Sequence, residues 1–167
     1  SVAATLAKMA MDQTLYLSQN FAFVSYPDNL TTGSSIMPHK KNPDVWEIMR
    51  GKCNRLQALP NDLTVMTTNL PSGYHREWQV LKEVGGPAVG ELKHCLNMAA
   101  FMLQHIEVKA DILNDPKYAY LFSVDEVNKL VLEGMPFRDA YKKVGADIEQ
   151  GNFNPDKKAN HTNEGSI

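Results

Sequence analysis

The sequence has few cysteines and no long run of one charge or of apolar residues, and each shortage excludes a class of protein. Its 167 residues include only Cys53 and Cys95. These lie too far apart for a metal-binding pair and are too few for a disulfide-stabilised fold. The formal net charge is −2 and the lysines are spread along the chain, which argues against nucleic acid or a membrane surface as partner. No stretch predicts a membrane-spanning helix, and a reducing cytoplasm is the location that this composition favours.

Apolar residues recur at helical spacing along most of the chain, and no segment alternates as a strand would. Three long helices are predicted, over residues 1–24, from 43 to about 69, and from 76 to about 105. Pro60 is expected to kink or end the second helix, because it lacks the amide proton that a helical hydrogen bond needs. The Gly-Gly-Pro sequence at 85–87 should interrupt and bend the third. Long helices joined by short turns predict an all-α fold built around a helix bundle.

The last third of the chain has shorter elements. Residues 123–126, Ser-Val-Asp-Glu, have the pattern of a capping box that begins a helix, and Pro136 is expected to begin another. A polar loop is predicted over 152–167. This change in pattern predicts two domains, 1–106 and 107–167.

The predicted loop between the first two helices, residues 25–43, concentrates polar groups. A glycine at position 33 permits backbone angles that other residues avoid, and the small Ser34 and Ser35 follow it. Lys40 and Lys41 supply positive charge for carboxylates. The loop is therefore a candidate for closing over an anionic substrate, although a solvated lysine loop is the usual fate of such a segment.

The start of the second helix adds to this candidate site. Asn42 is expected to be the N-cap and Pro43 the first helical residue, so that the positive end of the helix faces the loop. Glu47 falls in the first turn, where a carboxylate interacts favourably with the helix dipole. The loop and the helix end together predict a binding site for an anion.

The same residues match a known signature. The sequence resembles the fumarase/aspartase superfamily, whose pattern G-S-x-x-M-x-x-K-x-N is matched at Gly33, Ser34, Met37, Lys40 and Asn42. The resemblance implies an all-α fold, with a bundle of long helices and a small C-terminal helical domain. It implies an anti elimination that releases fumarate without metal or organic cofactor. It also implies a homotetramer in which each active site takes residues from three subunits.

The resemblance assigns a role to each residue of the site. Ser34 would remove the proton beside a substrate carboxylate, with Ser35 as its neighbour. Lys40 and Asn42 would hold that carboxylate, which gains charge in the transition state. Glu47 would orient a catalytic histidine.

That histidine is expected in a segment that precedes this chain, because none of the histidines here has the surroundings typical of the family. The chain alone is therefore expected to be inactive. The histidines present are His39, His75, His94, His105 and His161.

Within the superfamily, two blocks resemble the argininosuccinate lyases. The first combines Lys-Lys-Asn-Pro-Asp at 40–44 with residues 51–57. The second contains Tyr74, Gln79 and Lys82, whose counterparts in that family bind the arginine portion of the substrate. Without the family, these would be taken as surface residues of an amphipathic helix. The implied reaction splits argininosuccinate into arginine and fumarate.

Two alternatives remain open at this stage. One is another fumarate-releasing lyase, chiefly adenylosuccinate lyase, because His39 replaces a glutamine that is common in argininosuccinate lyases. The other is a non-catalytic helical assembly module. His75, Trp78 and residues 85–87 also depart from the family pattern and leave substrate detail and helix geometry open. Lys41 is expected either to bind substrate or to face solvent.

Overall fold

The computed structural model of the chain describes residues 1–37 and 39–157. His161 and most of the loop predicted over 152–167 lie outside the described residues. Over these residues the fold is all-α, as predicted, apart from two strands of two residues each. The chain divides into two compact units, Ser1–Lys109 and Ala110–Ile167. The predicted domain limits stay a prediction.

The first unit contains most of the helical structure. Its α-helices are α1 Val2–Leu17, α2 Asp44–Leu56, α3 Leu59–Met66 and α4 Leu81–Gln104. Its 3-10 helices are Asp28–Leu30 and Glu77–Val80. Its strands, β1 Val24–Ser25 and β2 Glu107–Val108, pair antiparallel with Val24 opposite Val108. In the part of the chain that the structure describes, no helix has both the length and the apolar character needed to cross a membrane.

The first helix is shorter than predicted, because it ends at Leu17 and not near Val24. The amide and the hydroxyl of Ser18 both donate to the Leu15 carbonyl, at 3.1 and 2.6 Å, and Ala22 adopts a positive φ of 49°. The chain then turns into β1. Hydrophobic spacing could not reveal this end, since two-residue strands are too short for alternation to show.

The predicted second helix is two helices, α2 and α3, separated at Gln57 and Ala58. Pro60 lies in the first turn of α3, where its missing amide proton removes no helical hydrogen bond. The predicted cap at the start of α2 is wrong. Pro43 precedes the helix with a φ of −84° and a ψ of 47°, and no side chain caps it.

The predicted interruption of the third helix is also wrong. Its first turn is a 3-10 helix, and α4 then runs without a break through Pro87, which lies inside it. Neither Gly85 nor Gly86 takes a positive φ. Proline inside a helix removes only one hydrogen bond, and the helix continues across it here.

The core of the first unit lies where α1, α2 and α4 meet. Small residues of α1, notably Ala7 and Ala10, are buried and allow α2 to approach closely. Trp46 is fully buried between the elements, with its ring centroid 6.3 Å from that of Tyr26. The Tyr26 hydroxyl donates to Gln13 of α1 at 2.8 Å. The remaining buried side chains of α2 and α4 are Met49, Cys53, Cys95, Ala99 and Met102.

Cys53 of α2 and Cys95 of α4 are both buried free thiols. Burial raises the pKa of the Cys53 thiol to about 11, and the charge of Cys95 and the hydrogen bond between the two thiols act in the same direction. At a pH between the ordinary thiol pKa and this value, Cys53 loses its proton in the unfolded chain but keeps it in the folded chain. The contribution of Cys53 to stability therefore falls as the pH rises through that window.

Alkylation of Cys53 in the folded chain is expected to be at least about 100-fold slower than in urea at about pH 8, because the thiolate is the reactive form. The rate should rise with pH up to about 11. Mass spectrometry after timed iodoacetamide labelling measures both rates. Equal labelling rates in buffer and in urea would contradict the burial of this thiol.

The second unit is built on a pair of helices. It contains the 3-10 helices Ile112–Asn114 and Pro116–Phe122, then α5 Ser123–Leu132 and α6 Phe137–Glu149. Val127, Ala140 and Val144 form the small core between α5 and α6. Gly134 and Gly151 end the two helices with φ of 99° and 72°, as left-handed C-terminal glycines do.

The predicted capping box at 123–126 is not formed. Ser123 is the first residue of α5 and caps nothing with its side chain. The preceding 3-10 helix runs directly into α5, and its Tyr120 carbonyl accepts from the Ser123 amide. Glu126 instead accepts a hydrogen bond from the Asp156 amide at 3.1 Å.

Candidate active site

The two ends of the polar loop are joined by backbone pairing. The Thr32 amide donates to the Asn42 carbonyl at 3.2 Å, and the Asn42 amide donates back to the Thr32 carbonyl at 2.8 Å. Residues 33–41 therefore form a closed loop directly before α2. We call the base of this loop, formed by Asp28, Thr32, Lys41, Asn42 and Asp44, the loop neck.

Two side-chain contacts reinforce the loop neck. The Thr32 hydroxyl donates to the carboxylate of Asp44, the first residue of α2. Lys41 forms an ion pair with Asp28, the first residue of a 3-10 helix. Sequence reasoning missed Asp28, Thr32 and Asp44 as parts of the site. The only signal was a carboxylate on each side of a basic loop, and that pattern does not specify pairing.

Ser34 lies just inside the loop and is half-buried. Its hydroxyl oxygen accepts hydrogen bonds from the amides of Ile36 and Met37, both at 3.2 Å. Donors aimed at an oxygen favour its deprotonated form, so this geometry suits a serine that acts as a base. The donors belong to the loop itself and not to the start of α2. Ser35 is exposed beside it.

Lys40 and Asn42 differ in how far their side chains are already engaged. The Lys40 amide donates to the Met37 carbonyl at 3.0 Å, while its exposed ammonium has no hydrogen bond or ion pair with any described residue. The Asn42 side-chain amide donates to the Gly33 carbonyl at 3.4 Å. Lys40 is therefore available to a carboxylate, whereas Asn42 also helps to shape the loop.

Glu47 is exposed in the first turn of α2, the helix that Asp44 begins. None of the described residues forms a hydrogen bond or an ion pair with its carboxylate. Its position therefore leaves the carboxylate open to a group from outside the described residues.

The second block lies around the start of α4. Tyr74 is 85% exposed, and Lys82 donates to the side-chain oxygen of Gln79 at 2.9 Å. No hydrogen bond or ion pair between described residues joins this block to the loop. Ser34 and Lys40 thus lie on one loop, and among the described residues no such contact links the second block to it. His75 and Trp78 lie within this block, as sequence departures that nothing in the structure explains.

Within residues 1–37 and 39–157, no group of three or more His, Cys, Asp or Glu side chains is arranged to hold a metal ion. The chemistry available at the loop is that of a serine oxygen with amide donors and an exposed ammonium six residues further along the chain. Such a set suits removal of a proton next to a carboxylate.

Comparison with known proteins bears on which enzymes share this arrangement. Residues 1–58 match the sequence profile of a lyase family. The chain is 60% identical over all of its 167 residues to an argininosuccinate lyase of Phocaeicola vulgatus, of which it covers 37%. The chain is homologous to argininosuccinate lyases. This confirms the resemblance to argininosuccinate lyases that the sequence indicated.

Other argininosuccinate lyases give the same result. That of Parabacteroides distasonis is 59% identical over 166 residues, 99% of this chain and 37% of the relative. That of Ruthia magnifica is 39% identical over 147 residues, 87% of this chain and 31% of the relative. The chain thus spans between 31% and 37% of the length of these argininosuccinate lyases.

A solved structure supports the fold independently. The 3-carboxy-cis,cis-muconate lactonizing enzyme from Pseudomonas putida matches with a TM-score of 0.69 at 20% identity. The match covers 90% of this chain and 34% of that enzyme. At this identity the likeness concerns the all-α fold alone.

Proposed function

We propose that this chain is the signature-loop portion of an argininosuccinate lyase, which splits argininosuccinate into arginine and fumarate. The observation that carries the proposal is the 60% identity over the whole chain to a curated argininosuccinate lyase. The geometry at Ser34 supports it, because two amides already point at the oxygen that would accept the proton.

In the proposed reaction, Ser34 removes a proton from the carbon beside a carboxylate. The electron pair left on that carbon forms the double bond of fumarate as the bond from the adjacent carbon to nitrogen breaks, and the electrons of the broken bond stay on the nitrogen of the released arginine. Lys40 and Asn42 stabilise the carboxylate that carries the developing charge. Glu47 orients a histidine that the resemblance places outside this chain, and Ser35 contacts the substrate beside Ser34.

The arginine portion of the substrate is proposed to lie against Tyr74, Gln79 and Lys82. Because Lys82 and Gln79 are hydrogen-bonded to each other, they present one ammonium and one amide from the same surface. We infer further that the whole enzyme is a cytoplasmic homotetramer whose active sites combine residues of several subunits. It would act without metal or organic cofactor, and without nucleic acid or membrane as partner.

A chimera tests the proposal. In it, this chain replaces the matching 37% of the Phocaeicola vulgatus argininosuccinate lyase, so that the missing histidine is supplied and the signature loop is the one described here. We expect fumarate release from argininosuccinate, followed by ultraviolet absorbance, and none from the 167-residue chain alone. Turnover of adenylosuccinate instead, or of neither substrate by a folded chimera, would overturn the proposal.

The chain alone is expected to self-associate. Its helices expose large apolar side chains, and burying apolar surface contributes roughly 25 cal/mol per Å². Sedimentation velocity over a range of concentrations should show oligomers, while a folded monomer throughout would contradict this prediction. The exposed residues on α1, α2 and α4 include Met11, Ile48, Val89 and Phe101.

A further inference from the structure

The loop neck holds several contacts between residues that are ten or more positions apart in the sequence. Two backbone hydrogen bonds join Thr32 and Asn42. The hydroxyl of Thr32 donates a hydrogen bond to the carboxylate of Asp44, and Lys41 forms an ion pair with Asp28. Among the described residues between these ends, the hydrogen bonds are the short-range ones of Ser34 and Lys40 and the contact of the Asn42 side chain with the Gly33 carbonyl. The position of the loop relative to α2 is therefore fixed mainly at its neck.

The contacts of the loop neck differ in strength. A hydroxyl that donates to a carboxylate makes a charge-assisted hydrogen bond, which is stronger than a neutral one. The ion pair is exposed on both sides, with Asp28 87% and Lys41 47% accessible, and such pairs contribute little and weaken in salt. The Thr32–Asp44 contact is thus the main side-chain link, and the Asp28–Lys41 pair is an auxiliary one.

We propose that Asp28, Thr32 and Asp44 are positioning residues that hold the signature loop at its neck, and that Lys41 serves this neck and not the substrate. The inference rests on the proposed function. The backbone of Thr32 pairs with that of Asn42 and so closes the loop. The hydroxyl of Thr32 donates to Asp44 and so links the start of the loop to the first turn of α2. Loss of these contacts increases the number of positions open to Ser34 and Lys40, so fewer molecules hold both groups in a reactive arrangement.

The first experiment replaces Thr32 by valine in the chimera. We expect kcat/KM to fall about tenfold, the effect typical of losing a hydrogen bond to a charged group. Amide exchange over residues 33–41 should accelerate while the unfolding midpoint changes little. Thr32→Ser, which keeps the hydroxyl, should restore both. The matched control is Thr31→Val, since among the described residues the Thr31 hydroxyl hydrogen-bonds only to the Asp28 carbonyl, at 3.4 Å. Unchanged exchange and turnover in Thr32→Val would overturn the proposal.

The second experiment reverses the charges of the ion pair. Asp28→Lys and Lys41→Asp are each expected to lower kcat/KM about two- to fivefold at low salt, as for an exposed pair. The double variant, which restores opposite charges, should regain most of the activity, and the differences should shrink in high salt. If the double variant stays as impaired as Lys41→Asp alone, Lys41 contacts the substrate and its assignment to the neck is wrong.

Failure of the neck and failure of the proposed function are distinguishable. Amide exchange over residues 33–41 can be measured in the 167-residue chain itself, where no turnover is needed. Faster exchange in Thr32→Val together with an inactive wild-type chimera would support the positioning role of the loop neck and refute the proposed lyase function. Unchanged exchange in Thr32→Val together with an active chimera would refute the positioning role of the loop neck and leave the proposed function standing.

Discussion

Replacing Ser34 by alanine in the chimera is expected to lower kcat by about 10²–10⁴-fold, the range typical of losing a general base. KM should change by no more than about threefold, because the hydroxyl acts mainly in the transition state. Two loop amides donate to the Ser34 oxygen, at 3.2 Å each. They would stabilise the alkoxide and contribute nothing once the oxygen is removed. Steady-state fumarate release gives both constants.

Ser35→Ala is the matched control for this prediction, because it removes the same atom one residue further along the loop. Ser35 is exposed, and no described residue donates to its hydroxyl. We expect a loss of activity much smaller than that of Ser34→Ala. A larger loss at Ser35 would exchange the roles of the two serines.

The signature residues could be found from the sequence because their spacing is local. Gly33, Ser34, Lys40 and Asn42 fall within ten positions, and the structure places them on one closed loop. Their roles stay predictions. The loop neck could not be predicted, since pairing Asp28 with Lys41 or Thr32 with Asp44 depends on the path of the backbone between them.

Hydrophobic spacing in the sequence predicted that the helices exist, but it did not predict the residues at which they begin and end. The end of α1 is set by the Ser18 contacts and a positive φ at Ala22, neither of which alters the apolar pattern. The cap expected at Asn42 does not form, because its backbone pairs with Thr32 and its side chain donates to the Gly33 carbonyl instead. At Asn42, a hydrogen bond to a residue nine positions away uses the side chain that a local cap would have needed.

The two tryptophans provide a test of what holds α2 in place. Trp46 is 0% exposed and Trp78 is 49% exposed. Trp46→Ala is expected to lower the free energy of unfolding by about 3–5 kcal/mol, the range for truncating a buried aromatic side chain. Trp78→Ala should lower it by no more than about 1 kcal/mol, since little of its contact surface is lost. Urea denaturation of the 167-residue chain at one fixed concentration, followed by circular dichroism, measures both.

The effect of Trp46 should extend to the candidate site. Trp46 lies two residues after Asp44, so its packing against Tyr26 fixes the first turn of α2 and with it one side of the loop neck. Trp46→Phe, which retains much of the buried area, should leave the chain folded with a smaller loss of stability. Faster amide exchange over residues 33–41 is expected in this variant and not in Trp78→Ala. Equal losses of stability in Trp46→Ala and Trp78→Ala would contradict the central position of Trp46 in the core.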